Sequence, residues 1–155
     1  MDARLNYLKA APGVYQAMMR LEEYIENCGL ELSLMRLVQT RASQINGCAF
    51  CLDMHTIDAR AEGESEQRLY LLSGWKEAPF YSERERAALE WSEALTLVAD
   101  NHVPDEVYER VRPHFTDEEL ANLTLAVTTI NSWNRLNIAF RTPAGIYRRR
   151  QTAAS

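Results

Sequence analysis

A chain of 155 residues can bury one real core, so the sequence reads as a single domain. Its net charge of −5 argues against nucleic acid or an anionic membrane as the main partner, and no apolar run approaches the roughly 18 residues that span a bilayer. The acidic second residue and the lack of an early apolar stretch argue against a signal peptide. The small, odd set of three cysteines points to a reducing, cytoplasmic setting rather than a disulfide framework.

The segments follow one another as helices. Pro12 suits a first helical position and Gly29 a stop; Val14, Met18, Leu21 and Ile25 fall three or four apart between them, one apolar face. "LSLMRLVQTRASQI" sets Leu34, Leu37 and Val38 on one side, and the turn dipeptide Asn46-Gly47 interrupts it. "CAFCLDMHTIDARAEG" resumes helical composition up to Gly63, and "SEQRLYLLSGW" reads as a short helix. Ser82-x-x-Glu85 is a capping box ahead of an apolar face of Ala88, Trp91, Leu95 and Val98. The next helix starts on Pro104 and breaks at Pro113. A second capping box, Thr116-x-x-Glu119, opens a nearly continuous apolar segment that is expected to be the central helix. The fold class expected is all-α, with about six to seven helices over residues 1–140 and no β-sheet. Residues 141–155, with Arg148, Arg149 and Arg150 in a row, read as a basic, flexible, solvated tail.

Within "NGCAFCLDMH", Cys48, Cys51 and His55 are spaced CxxC-x3-H. On a helix, i, i+3 and i+7 share one face. Cys48 would sit in the first turn, where free N–H groups and the helix dipole favour a thiolate. A free thiol pKa of roughly 8.5 falls to roughly 3.5–7.5 at helix N-termini and in CxxC pairs. Such a pair shuttles between dithiol and disulfide, and a histidine one turn later can take or return the proton. Three readings stay open: a redox dithiol, a metal site, or two buried small residues with an incidental histidine. A structural zinc site needs a fourth ligand, and neither His102 nor His114 stands in a ligand pair. The histidine at helical register favours the redox pair.

The flanks carry a resemblance. "SQINGCAFCLDMHTIDAR" resembles the signature of the AhpD-like (alkylhydroperoxidase D) family, within the carboxymuconolactone decarboxylase superfamily. "TLAVTTINSWNRLNI" resembles the C-terminal helix of the small AhpD-like subgroup, and "GESEQRL" and "YSERERAALEWSEALT" resemble it as well, so the likeness runs over residues 5–140. The resemblance implies a helical fold assembled as trimers or hexamers, with the CxxC near a subunit interface. It implies thiol peroxidase activity on a hydroperoxide, with no cofactor and no metal. Electrons would come from an external lipoyl or thioredoxin-like dithiol, or pass on to a peroxiredoxin partner. Residue by residue, Cys51 resembles the peroxide-attacking thiol, Cys48 the resolving thiol and His55 the proton-relay histidine.

One position departs from the pattern. The family usually carries a glutamate twelve residues before the first cysteine, completing the proton relay; here that residue is Arg36, which stays protonated and cannot act as a base. It could lower a thiol pKa by its charge if it faces the site, or else be an outward surface side chain. Glu31 is not an obvious helical substitute. The departure bears on peroxidase turnover more than on dithiol chemistry, and it favours the alternative of a non-catalytic, oligomeric redox sensor or adaptor. Ring-opening decarboxylation, the superfamily's other activity, does not need the CxxC.

Other polar residues read more plainly. Asn131, Asn134 and Arg135 interrupt an apolar helix and are expected to bond across elements or subunits. Ser43 and Gln44 either bond the turn or line the pocket over Cys51. Cys28 reads as a small packed residue, Asp53 and Asp58 as solvent or interface residues, Trp91 and Trp133 as core or interface anchors, and His102 as a solvated loop residue.

Overall fold

The computed structural model describes residues 2–149. Its nine α-helices, with no strand among the described residues, run α1 (Tyr7–Ala10), α2 (Pro12–Glu26), α3 (Leu32–Asn46), α4 (Ala49–Ala61), α5 (Glu66–Leu71), α6 (Glu83–Thr96), α7 (Val98–Asn101), α8 (Asp105–Val111) and α9 (Asp117–Phe140). Both predicted capping boxes are present: Ser82 and Glu85 open α6, and Thr116 and Glu119 open α9, each pair satisfying two N–H groups that the helix leaves free.

The helix count exceeds the six to seven expected, for local reasons. The single turn of α1 has no apolar repeat to announce it; its start is capped by the Asn6 side chain, which accepts from Lys9 N–H. The predicted helix after Ser82 ends at Thr96 because Leu97 leaves helical geometry (φ −101°, ψ 27°), and α7 follows as a separate turn. Val98 is therefore exposed rather than on the buried face, and so is Val14, near the start of α2.

The central helix is α3, not α9. Leu37, Val38, Ala42 and Ser43 are fully buried around most of its circumference, and α4, α6 and α9 all pack on it. One face of α3 sends Leu34, Met35 and Val38 into the main core with Trp91, Val111, Phe115, Leu123 and Val127. Leu37 turns instead to a smaller core with Leu72, Trp75, Tyr81 and Leu89. The last helix is the longest, but Ser132 and Ile138 leave it one exposed side. Burying a side chain such as Leu37 contributes roughly 1.5–3 kcal/mol, so this doubly covered helix is the least replaceable element.

Only Gly47 and Cys48 separate α3 from α4. Gly47 adopts φ 68°, the left-handed conformation that suits glycine, while its N–H donates to Gln44 O and Cys48 N–H donates to Ser43 O. That closure ends α3 and turns the chain straight into α4. The Asn-Gly dipeptide thus positions the first cysteine.

Residues 141–149 do not form a wholly solvated tail. The Gly145 N–H donates to Asp53 Oδ2 at 2.8 Å, the Tyr147 hydroxyl donates to both Asp58 oxygens at 2.9 and 3.0 Å, and Arg149 pairs with Glu62 at 3.2 Å. The remainder of the expected tail, 150–155, lies outside the described residues.

Candidate functional site

Cys48 is the N-cap of α4 rather than a residue of its first turn: its backbone is extended (φ −82°, ψ 95°), and its Sγ accepts from the Cys51 N–H at 3.4 Å. Cys48 and Cys51 are joined as a disulfide. Both are sealed from solvent, at 0% and 1% exposure. His55 follows one turn later, and Cys51, His55, Asp58 and Ala59 form the buried stripe of α4. The shared face expected from the spacing therefore holds for Cys51 and His55, and the disulfide brings Cys48 to it from the cap.

Polar side chains of α9 hold the turn from behind. Asn46 Nδ2 donates to Asn131 Oδ1 at 2.9 Å and to Asn134 Oδ1 at 2.8 Å. Asn134 Nδ2 donates to Ser43 Oγ at 3.0 Å, and that hydroxyl donates to Gln39 O at 2.8 Å. Asn131 Nδ2 donates to Thr96 Oγ1 at 3.0 Å. The cross-element bonding expected of Asn131 and Asn134 is present. Arg135 stays exposed and donates back to Asn131 on its own helix. Ser43 serves this network, and Gln44 accepts from Arg41.

Two residues of the site escaped the sequence reading. Asn137 Nδ2 donates to Cys51 Sγ at 3.5 Å, and the Tyr7 hydroxyl donates to Asn137 Oδ1 at 3.3 Å; both residues are buried. Asn137 repeats the three-residue step from Asn131 to Asn134, a signal the sequence does contain. Nothing near Tyr7 in the sequence marks it, because it meets Asn137 from 130 positions away.

His55 is only 3% exposed, and neither ring nitrogen has a hydrogen-bond partner among the described residues. Burial first, and the positive charge of Arg36 second, push its pKa down to about 3. The ring is therefore neutral at any ordinary pH. Arg36 is neither a base nor an outward side chain. It is mostly buried, its Nε and Nη2 reach both oxygens of Glu62 at 2.9 and 3.1 Å, and its Nη1 donates to Gln39 Oε1 at 3.0 Å. A cleft of about 440 Å³ lies beside this pair, lined by Leu32, Ser33, Arg36, Ala59, Glu62 and Arg68 among others, and it stops one turn short of His55.

The remaining residues fall as follows. Cys28 is a free, half-buried thiol against the main core. Trp91 is buried and donates to Thr124 Oγ1 at 2.9 Å; Trp133 is half-buried and donates to Glu22 Oε1 at 2.7 Å, and burial raises the pKa of that carboxyl. His102 is exposed in its loop. Asp58, expected as a solvent or interface residue, is buried under Tyr147.

Set beside other proteins, residues 12–94 match the sequence pattern of the carboxymuconolactone decarboxylase family. The chain belongs to that family. Within it, this member is AhpD-like. It is 48% identical over 139 residues to the uncharacterized protein YdfG of Bacillus subtilis (strain 168), covering 90% of this chain and 95% of that one. A crystal structure of a protein of unknown function from Agrobacterium tumefaciens, proposed as the antioxidant defence protein AhpD, superposes with a TM-score of 0.91 at 45% identity, over 94% of this chain and 100% of that one. The alkylhydroperoxidase AhpD core of a peroxidase-related protein from Ralstonia eutropha JMP134 shares the fold, with a TM-score of 0.78 at 18% identity over 90% of this chain and 74% of that one.

Proposed function

We propose that this family member is a thiol-dependent hydroperoxide reductase working through Cys48 and Cys51. The observation that carries the reading is the bonded Cys48–Cys51 pair at the head of α4, in a chain of AhpD-like fold. In the reduced protein, the Cys51 thiolate attacks the outer oxygen of a hydroperoxide. An S–O bond forms, the O–O bond breaks, and the leaving oxyanion takes a proton and departs as alcohol or water. Cys51 is then a sulfenic acid. Cys48 attacks that sulfur: the S–S bond forms, the S–O bond breaks, and the hydroxyl leaves as water with the Cys48 proton. An external dithiol, lipoyl or thioredoxin-like, restores the pair by thiol–disulfide exchange and is itself oxidised. A peroxiredoxin partner is the other route for the same electrons.

His55 is assigned the proton relay on position and neutrality. A neutral ring with a free nitrogen can accept a proton briefly, and the buried site returns it quickly because the cation is disfavoured. Arg36, tied to Glu62, supplies positive charge and no base.

A second reading is favoured by the sealing of both sulfurs and by the lack of a carboxylate bonded to His55 among the described residues: a non-catalytic, oligomeric redox sensor or adaptor. One experiment separates the two. The reduced protein is mixed with hydrogen peroxide or an alkyl hydroperoxide, and free thiols are counted over time. Fast, paired loss of two thiols supports the reductase, and slow, unpaired loss supports the sensor.

The proposed assembly is a homotrimer or hexamer in a reducing, cytoplasmic setting. Its support is the apolar surface of α1 and α2, where Leu8, Val14, Tyr15 and Met19 are exposed. Sedimentation showing only monomer at micromolar concentration would count against it. No helix among the described residues is long and apolar enough to cross a membrane.

A further inference from the structure

A buried thiolate needs donors. The helix supplies one to Cys48, whose Sγ accepts the Cys51 N–H. Cys51 is the third residue of α4; its own N–H is spent on Cys48 Sγ, its sulfur accepts from no backbone N–H among the described residues, and it is as deeply buried as its partner. Its other neighbours offer little. His55 is neutral and has no hydrogen-bond partner among the described residues, Asp58 two turns on is bonded by Tyr147, and Arg36 on α3 is spent on Glu62 and Gln39. What does point at the Cys51 sulfur is the Asn137 amide, at 3.5 Å. Its orientation is fixed from the far side. A Tyr7 hydroxyl donates to Oδ1, which leaves Nδ2 as the end facing sulfur. Tyr7 is itself held in place, with its ring 5.6 Å from that of Phe140, and burial raises the pKa of its hydroxyl above the ordinary tyrosine value.

We propose that Asn137 is a catalytic residue, the hydrogen-bond donor that stabilises Cys51 as a thiolate in the reduced protein, and that Tyr7 is the positioning residue that keeps its amide turned toward the sulfur. The inference rests on the dithiol reading above and deepens it. The glutamate that the resemblance leads one to expect would complete a proton relay with the histidine; here a neutral donor lowers the cost of losing the thiol proton. The same contact makes the two sulfurs differ in origin of support, since Cys48 leans on a backbone N–H of its own helix and Cys51 on an amide from the chain's last helix.

The test uses the full chain carrying Cys28→Ser and Cys48→Ser, so that Cys51 is the one thiol left, and titrates it by ultraviolet thiolate absorbance and by the pH dependence of iodoacetamide alkylation. Asn137→Leu, similar in size and without a donor, is expected to raise the Cys51 pKa by about one unit, a roughly tenfold loss of thiolate at fixed pH, in line with the worth of a hydrogen bond to a charged group. Tyr7→Phe, which removes one oxygen and frees the amide to turn, is expected to cost about threefold in thiolate by the same scale. An unchanged Cys51 titration in Asn137→Leu overturns the proposal. Should that variant not fold by circular dichroism, Tyr7→Phe decides alone, and an unchanged titration there overturns it. Peroxide consumption by the protein with all cysteines present is measured in parallel. A pKa shift without peroxide turnover leaves this inference standing and the reductase reading fallen; turnover without a shift does the reverse.

Discussion

The two ends of α4 are built from different chemistry. At its N-terminus the cysteines are clamped by neutral groups: Asn46, Asn131, Asn134 and Asn137 with Ser43, each given a partner in the network. Two turns on, the same face carries charge. Glu62 pairs with Arg36 and Arg149, Asp58 takes the Tyr147 hydroxyl, and Glu22 and Glu26 bring further negative charge toward Arg36. His55 stands between the two ends and joins neither network. A fully satisfied neutral network fixes geometry without imposing a field, whereas ion pairs impose a field and are screened by solvent. The thiols sit at the end whose hydrogen-bond partners are mostly neutral, with Arg135 donating to Asn131 at its edge.

That contrast can be broken most completely at the sulfurs. Cys51→Ser is expected to abolish peroxide consumption, while Cys48→Ser reacts once and stalls as a sulfenic acid on Cys51, trappable by a dimedone-type probe and seen by mass spectrometry. Adduct on Cys48 in the Cys51→Ser protein would reverse the assignment and give the reactive role to the N-cap.

The histidine between the two regions gives the next largest effect, and it is read in acid. Its folded pKa lies at about 3, below the ordinary histidine value of 6.5, so the unfolded chain binds a proton that the folded one refuses. Stability is therefore intact above pH 6.5 and lost as pH falls toward 3, by at most about 1.4 kcal/mol per pH unit. His55→Leu removes this loss. Denaturant midpoints measured from neutral to mildly acidic pH should fall less steeply in the variant, while carboxylates such as Glu85 and Glu93, held low by their partners, contribute equally to both proteins.

Within the neutral network, Asn134→Ala strips Asn46 of one acceptor and Ser43 of its donor in a buried site. A cost of about 1–3 kcal/mol is expected in urea unfolding, as for other buried groups left unpaired. An Asn134→Ala protein as stable as the parent would mean that water replaces the amide and that the clamp is not tight.

The charged end should respond least. Arg36→Glu places a carboxylate against Glu62 and Asp58 instead of completing a proton relay, so it is expected to leave turnover no higher and to lower stability, by up to about 3 kcal/mol for a mostly buried pair. The exchange Arg36→Glu with Glu62→Arg should recover the stability. Raised turnover in Arg36→Glu alone would show that the introduced carboxylate reaches His55 after all.

Much of this contrast was legible beforehand. Capping boxes, Asn-Gly and the CxxC-x3-H spacing are local signals, and local signals are what sequence periodicity reads. The central role of α3 was hidden because its polar residues Gln39, Thr40 and Ser43 lower its apparent hydrophobicity, yet all three are buried in hydrogen bonds that only neighbouring turns and helices explain. Asp58 read as a solvent or interface acid because the Tyr147 that covers it comes from a segment that reads as tail.

By itself the sequence determined the helical class, the capped starts of α6 and α9 and the spacing of two thiols with a histidine one turn on, because each depends on residues within about two turns of one another. Only the tertiary structure decided what each of those groups faces. The Asn137 amide on Cys51, the Tyr7 hydroxyl behind it and Glu62 on Arg36 are contacts between distant segments, and the burial of His55 is made by those segments as well. Desolvation, which makes that histidine neutral, is a property of everything packed around a group and is written at no single position of the chain.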